Sequence, residues 1–479
     1  MKVKKRWIIL MAIMTIFAII GAVWPEKESI LNTQDDIDLW TFVDDGVCTS
    51  SNVAWLTTAT IFVLMMTPGL SFFYGGMVGK KNVISTILQS FIAMGIISVM
   101  WVVFGFSLSF GDDLGGLGLI GDPTQFFMFQ HVGAHPYNVP GSEGYVDGRL
   151  TVATIPLALY AIFQMKFAII TPSLITGSFA ERVRFSAYMV FMMLFCIFVY
   201  CPLAHWTWHP EGLLHKLFDI HDFAGGIVVH ASSGVAALAG ALFLGQRKSG
   251  EKHLPANVPF VILGAALLWL GWFGFNGGSG LAADGIAIKA FLNTNTAGAT
   301  AMMCWIFFDC LRGRKPSGMG AAVGAVVGLV AITPCADIVT TGQSICIALL
   351  TTLVCNIAVY WKNRTSVDDA LDVFPTHGTG GIFATILTGV FGYEGLIYGG
   401  WDVFVNSILG VLVVIVYTFV VSLGLYWITN KMIPMRVSAK SERMGLDVSQ
   451  HDEAYGFSDS DEREIAEYFV HENEKKAEK

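Results

Sequence analysis

Asp222-Phe-Ala-Gly-Gly-Ile-Val-Val-His230-Ala-Ser-Ser-Gly234 places a histidine deep inside an apolar run that continues to about residue 246. A second stretch, Asp372-Val-Phe-Pro-Thr-His377-Gly-Thr-Gly-Gly381, repeats the order of carboxylate, apolar residues, histidine and small residues about 147 positions later. An ionisable group at the middle of a membrane helix is expensive, so each histidine is read first as functional. The alternative is that each one hydrogen-bonds a neighbouring helix and only fixes packing.

Working outward from these stretches, apolar runs of about 20 residues, enough to cross a bilayer, recur between residues 54 and 430. Roughly eleven are expected: 54–76, 83–110, 151–178, 186–207, 223–246, 257–276, 282–311, 316–333, 338–360, 376–393 and 402–430. Glycine is frequent within them, as close helix packing in lipid requires. The basic residues fall in alternate loops, at Lys80 and Lys81, Arg182 and Arg184, Arg247, Lys248 and Lys252, Arg312, Arg314 and Lys315, and Lys362 and Arg364. The other loops hold isolated cases such as Arg149 and Lys216. The basic loops are therefore expected in the cytoplasm, with the first long span starting outside and the tail from Lys431 ending inside. His230 and His377 then sit in the fifth and tenth spans, one entering from outside and one from inside. This is the pattern of two inverted five-helix repeats, about 54–246 and 257–393, with a last helix at 402–430 and the paired site near mid-membrane.

The composition agrees with an all-α membrane protein. Of 479 residues, 54% are hydrophobic and 14% charged, and the mean hydropathy is +0.60, values a water-soluble domain could hardly carry on its surface. A net charge of −8 without a basic stripe argues against a nucleic-acid partner. Six of the eight cysteines lie in or beside apolar runs; Cys48 and Cys335 are expected to be accessible from outside, and no disulfide framework or CxxC metal pair is read. Residues 1–24 combine a basic start, Lys2 to Arg6, with an apolar run, Trp7 to Trp24. They are either a signal peptide or an extra span, followed by an extracytoplasmic segment at 25–53. Gly116-Leu-Gly-Leu-Ile-Gly121 matches GxGxxG, but no strand precedes it and it faces outside, so it is a chance match. Residues 431–479 read as a cytoplasmic tail with an acidic stretch from Asp459 to Glu464.

Asp222 and Asp372 are expected to cap the N-termini of the two histidine helices. Phe163 and Phe167 share a helix face, and Phe275 follows Gly271-Trp-Phe-Gly274 on the sixth span. Such aromatics are read either as core or as pore lining. Trp208 and Ser279 fall at outer span ends, either as interfacial anchors or as a cation site using the ring face and the hydroxyl. His205, His209, His215 and His221 cluster after the fourth span, yet no HExxH or other ligand spacing makes them a metal site.

Taken together, Pro68-Gly-Leu-Ser-Phe-Phe-Tyr-Gly-Gly76, Gly177-Ser-Phe-Ala-Glu-Arg182, Asp222-Phe-Ala-Gly-Gly226, Gly271-Trp-Phe-Gly-Phe-Asn276 and Gly445-Leu-Asp-Val-Ser-Gln-His-Asp-Glu453 resemble the Amt branch of the Amt/Mep/Rh ammonium transporter family from about Asn52 to Tyr455. The resemblance implies a homotrimer in the cell (inner) membrane with one pore and eleven mature spans per subunit, and no cofactor. It makes His230 and His377 the pore histidines and Phe167 with Phe275 the outer gate. It also makes Trp208, Phe167 and Ser279 the ammonium recruitment site, with Asp222 as structural support. It further implies that Gly445, Asp447 and Glu453 belong to a regulatory tail, often read by a trimeric PII signalling protein. Two departures stand out. Lys166 directly precedes Phe167 and is expected to point away from the pore and find a partner, and the segment after Trp208 carries extra residues before Asp222. The functions in play are an ammonium transporter, an ammonium sensor signalling through its tail, or a channel for ammonia or carbon dioxide. A membrane enzyme is not expected, since no nucleophile, base and orienting group occur together.

Overall fold

The computed structural model describes residues 5–24, 40, 42, 44–137, 152–248 and 254–456. Arg149, Lys252, residues 25–39 and the acidic stretch Asp459 to Glu464 lie outside the described residues. The described chain is helical throughout, with isolated bridges only. In chain order the long helices are α1 (Lys5–Val23), α2 (Ser50–Met77), α3 (Lys80–Phe110), α4 (Leu157–Ile175), α5 (Phe185–Trp208), α6 (Gly226–Leu244) and α7 (Val258–Gly278). They continue as α8 (Gly285–Leu311), α9 (Gly318–Ile332), α10 (Thr341–Lys362), α11 (Phe374–Tyr398) and α12 (Trp401–Met432).

Each of the runs read from sequence coincides with one of the helices α2 to α12. Among the described residues, nine helices are long and apolar enough to cross a membrane. The two runs that miss this measure do so for different reasons. Helix α8 carries Asn293 and Thr294, both buried and hydrogen-bonded, so its polarity is spent inside the protein rather than on lipid. Helix α9 has 15 residues, about 22 Å at the usual rise. Beyond it the chain runs on through buried Thr333, Cys335, Ala336 and Val339. Helix α4 starts at Leu157 rather than near 151, because Val152 pairs with Tyr137 and Pro156 takes the cap position.

Side chains close several helix starts. Thr49, Asn257, Asp284 and Ser317 each accept a backbone N–H of the following turn, and Thr340 with Gln343 forms a reciprocal capping box. The central contact is α2 against α7, where glycine allows the backbones to touch. A Cβ on Gly264 would stand 2.3 Å from the Phe73 nitrogen, and one on Gly271 would stand 2.7 Å from the Phe62 carbonyl oxygen. Helix α1 stands largely exposed, with Ile8, Met11 and Ile19 open, and Trp24 packs edge-on against Phe127 of the loop after α3.

The cysteine expectation needs correction. Cys48 and Cys335 are both fully buried and Cys310 is the exposed one, while all eight thiols are free. Cys48 is covered because its loop folds back on itself through Asp45, whose carboxylate accepts the Cys48 N–H. Cys335 turns inward with the segment after α9.

Candidate functional site

Helices α6 and α11 both open on a π-helical turn, Gly226–Ala231 and Phe374–Gly378, and each turn holds one of the two histidines. Such wide turns reorient side chains and recur at functional sites. In the first, the His230 N–H reaches the Gly225 carbonyl five residues back at 3.1 Å. The helices then cross where the small residues after each histidine meet. A Cβ on Gly234 would fall 2.1 Å from both Cα and N of Gly378, and one on Gly381 would fall 2.5 Å from the Gly226 carbonyl oxygen. Only glycine permits this approach. It brings His230 Nδ1 to 3.3 Å from His377 Nδ1, with ring centroids 5.3 Å apart.

Both rings are buried, at 1% and 2% exposure. His230 stacks on Trp272 at 5.3 Å, a neighbour that the sequence reading did not single out. Its Nε2 has no hydrogen-bond partner among the described residues. A narrow cavity runs past both histidines, walled by Leu70, Ile170, Leu268, Trp272 and Phe275. A second follows on the side of the basic loops, bounded by Phe73, Tyr74, Asp372 and His377.

At the opposite mouth, Phe167 and Phe275 stack at 4.1 Å and 18°. Trp208 stands edge-on to Phe167 at 6.1 Å, its indole N–H donated to the Asp222 carbonyl at 2.8 Å. Ser279 donates its hydroxyl to the Phe275 carbonyl at 2.8 Å, which leaves its oxygen lone pairs free to accept. Phe163 packs on Phe167 at 5.0 Å.

The two aspartates behave differently. Asp222 caps α6 with both oxygens, accepting the N–H groups of Gly225, Gly226, Ile227 and Val228 at 2.5–3.2 Å. Asp372 does not cap α11. It has a left-handed φ of 59°, which turns its carboxylate to Lys362 Nζ at 2.6 Å. The cap is Asp369, whose Oδ2 accepts the Phe374 N–H at 2.7 Å. Burial, and then the neighbouring Asp372, push the Asp369 carboxyl up to about 6. The signal for Asp369 was in the numbering, since it precedes His377 by the same interval that separates Asp222 from His230.

Lys166 is also corrected. It is buried, at 8% exposure, with Nζ 3.7 Å from the Met165 sulfur, and no carboxylate pairs with it among the described residues. It is not among the residues walling the histidine cavity. The four histidines after the fourth span take separate partners: His205 pairs with Asp113, His215 with Asp219 and His221 with Asp337, while His209 stacks on His205. Among the described residues no group of three or more His, Cys, Asp or Glu side chains is arranged to hold a metal.

The tail is fastened to the basic loops. Asp447 accepts the Ile84 and Ser85 N–H groups at the start of α3. Gly445, at φ +95°, lies against the Lys81 backbone, where a Cβ would have no room. Arg436 binds Glu442, and Arg247 bridges Glu181 and Asp368. Glu453 is exposed.

Fold and site together define a multi-pass helical membrane protein with a histidine pair enclosed between two helices that each open on a π-helical turn. Residues 54–455 match the Ammonium Transporter Family. The chain is 42% identical over 402 residues to an ammonium transporter of Bacillus subtilis, covering 82% of this chain and 95% of that protein. It is 38% identical over 410 residues to the ammonium transporter Amt1 of Archaeoglobus fulgidus, covering 84% and 98%. Among solved structures, Mep2 of Saccharomyces cerevisiae superposes with a TM-score of 0.75 at 33% identity, over 84% of this chain and 89% of that one. A protein described as a sensor Amt superposes with a TM-score of 0.75 at 27% identity, over 85% and 100%. The chain belongs to the ammonium transporter family.

Proposed function

We propose that this protein takes up ammonium at the face away from the basic loops, strips its proton and passes ammonia between His230 and His377. The observation that carries the reading is the imidazole contact itself, 3.3 Å between Nδ1 atoms, in a narrow apolar passage behind stacked phenylalanines. Carrying an intact monovalent cation through such a constriction takes somewhere between about 3 and 15 kcal/mol. Ammonium, with a pKa of about 9, can give up its proton at neutral pH for about 3 kcal/mol. Splitting the ion therefore competes with carrying it whole, and potassium, which has no proton to lose, is refused.

In this reading Trp208 and Ser279 gather the cation, the ring by its π-face and the hydroxyl by its free lone pairs. Phe167 and Phe275 exclude water. The two histidines share one hydrogen, so one imidazole donates from Nδ1 and keeps a bare Nε2, while the other accepts at Nδ1 and carries its hydrogen on Nε2. The passage thus offers ammonia one acceptor and one donor without a net charge. Asp222 and Asp369 hold the two half-helices by their amide ends, and Asp372 lines the exit with Lys362.

The same proposal includes the architecture: two inverted five-helix halves, 54–246 and 257–393, closed by α12, eleven crossings in all, assembled as a homotrimer in the cell membrane with the tail in the cytoplasm. The meeting of α6 with α11, one histidine helix from each half, supports it. Tail docking by Gly445 and Asp447 supports regulation from that side, by a PII-type protein or by the tail alone. A sensor reading draws support from the superposition on the sensor Amt, and ammonium binding without flux would favour it. The deciding experiment is current and internal pH in proteoliposomes given an ammonium gradient. Charge moving with substrate means net ammonium transport, a pH change without current means an ammonia channel, and neither response overturns the transport reading.

A further inference from the structure

The extra residues before Asp222 fold into a turn that the transport mechanism leaves unused. The short helix Leu213–Phe218 ends on Asp219 at a left-handed φ of 44°. The chain then runs through Ile220 and His221 to the cap of α6. Two bonds fasten this passage to the segment between α9 and α10: His221 Nε2 to Asp337 Oδ1 at 3.0 Å, and the Phe223 N–H to the Pro334 carbonyl at 3.1 Å. Asp222, held between them, receives the Trp208 indole N–H on its carbonyl oxygen. A displacement of residues 221–223 is therefore passed directly to the Trp208 ring. The His221 side chain is 39% exposed and that of Asp337 is 12% exposed, so the pair is open to the medium on that face.

We infer that the His221–Asp337 ion pair is an external-pH-responsive brace that positions Trp208 and so sets the apparent affinity for ammonium. His221 is a positioning residue that acts through Asp222, and the inference rests on the recruitment reading of Trp208.

The groups facing His221 are Asp337 from the segment after α9, Asp219 and Asp222 from its own turn, and His209, His215 and Glu394 around the open cavity beside it. Burial pulls the His221 pKa down, but the Asp337 hydrogen bond and charge, with Asp222 and Asp219 behind them, more than offset this, and the net shift is upward. A raised histidine pKa means that the brace is complete at acidic and neutral pH and is lost as the medium becomes alkaline through the shifted value. His209 does not compete for this role: burial, and then His205, press it down to about 3, so it stays neutral throughout.

The test uses the full chain in proteoliposomes, with initial uptake of radiolabelled methylammonium, whose pKa of about 10.5 keeps it cationic over the range. External pH is varied from about 6 to about 9 at fixed internal pH. For an ion pair this exposed a modest change is expected, with KM rising about two- to fivefold on the alkaline side and Vmax unaffected by the pair. Asp337→Asn should move the inflection to lower pH, and His221→Gln should remove it and leave KM at the alkaline value. A flat wild-type KM overturns the proposal without any variant, as does an inflection retained in His221→Gln. Trp208→Ala separates the two levels. If it leaves KM unchanged, the recruitment reading fails and the brace with it. If it raises KM while the wild-type profile is flat, only the brace fails.

Discussion

Replacing Asp222 by Asn tests how the start of α6 is held. The carboxylate accepts four N–H groups, two on each oxygen. Asparagine keeps one oxygen acceptor and turns an NH2 toward the other two amides, so two charge-assisted bonds are lost. At about 1.5–3 kcal/mol each, the loss is about 3–6 kcal/mol. Asp369 uses only one oxygen, toward the Phe374 N–H, so Asp369→Asn can keep that bond on its amide oxygen and loses only the charge assistance, less than one full bond of about 1.5–3 kcal/mol. The structure therefore predicts an asymmetry, with Asp222→Asn unfolding clearly earlier than Asp369→Asn in a detergent thermal melt at neutral pH, where the Asp222 variant also loses methylammonium uptake. Amide exchange gives a second readout, since residues 225–228 should lose protection in the first variant and keep it in the second. Equal melting shifts, or intact protection of 225–228 after Asp222→Asn, would refute the capping argument.

Three further outcomes follow from the site and tail. Replacing either His230 or His377 by Ala leaves the surviving ring without its 3.3 Å partner and should admit potassium, read as a potassium-driven current absent from the wild type; continued exclusion in both variants would contradict their assigned roles. Gly234→Ala drives a methyl to 2.1 Å from the Gly378 backbone and should destabilise by about 1–3 kcal/mol or more in a thermal melt, whereas Gly424→Ala, with nothing within 4 Å, should be neutral or slightly stabilising. Burial pushes the Asp447 carboxyl up to about 6 from 3.8, against the pull of the α3 amides; the docked tail then binds more protons than the free one, so docking strengthens as pH falls through about 6 toward 3.8 and is weakest above it, which amide exchange across 439–455 would register, with Asp447→Asn flat over that window.

The helices and the histidine pair were legible because their signals are one-dimensional. An apolar run has a length, and a buried histidine is conspicuous in it. The aspartate nearest His377 in sequence, Asp372, is not the cap of its helix. Which carboxylate reaches an N–H depends on the φ of the intervening residues, and at Asp372 that angle is left-handed and sends the side chain to Lys362. The even interval to each histidine was a symmetry signal that outweighed proximity. Cys335 was misjudged for a related reason, since a break in an apolar run indicates where the chain turns, not which way its side chains face.

Lys166 stays outside the histidine cavity as expected, but no carboxylate pairs with it among the described residues. A lysine within a membrane span is expected to snorkel or to pair, yet here it stays buried against a methionine sulfur, adjacent to Phe167. Its stem is compatible with the packing of α4, and its ammonium group is the part that needs compensation. Burying an ammonium group with no carboxylate beside it costs stability. Lys166→Met should then preserve uptake and raise the melting temperature. A fall in uptake together with a lower melting temperature would refute this.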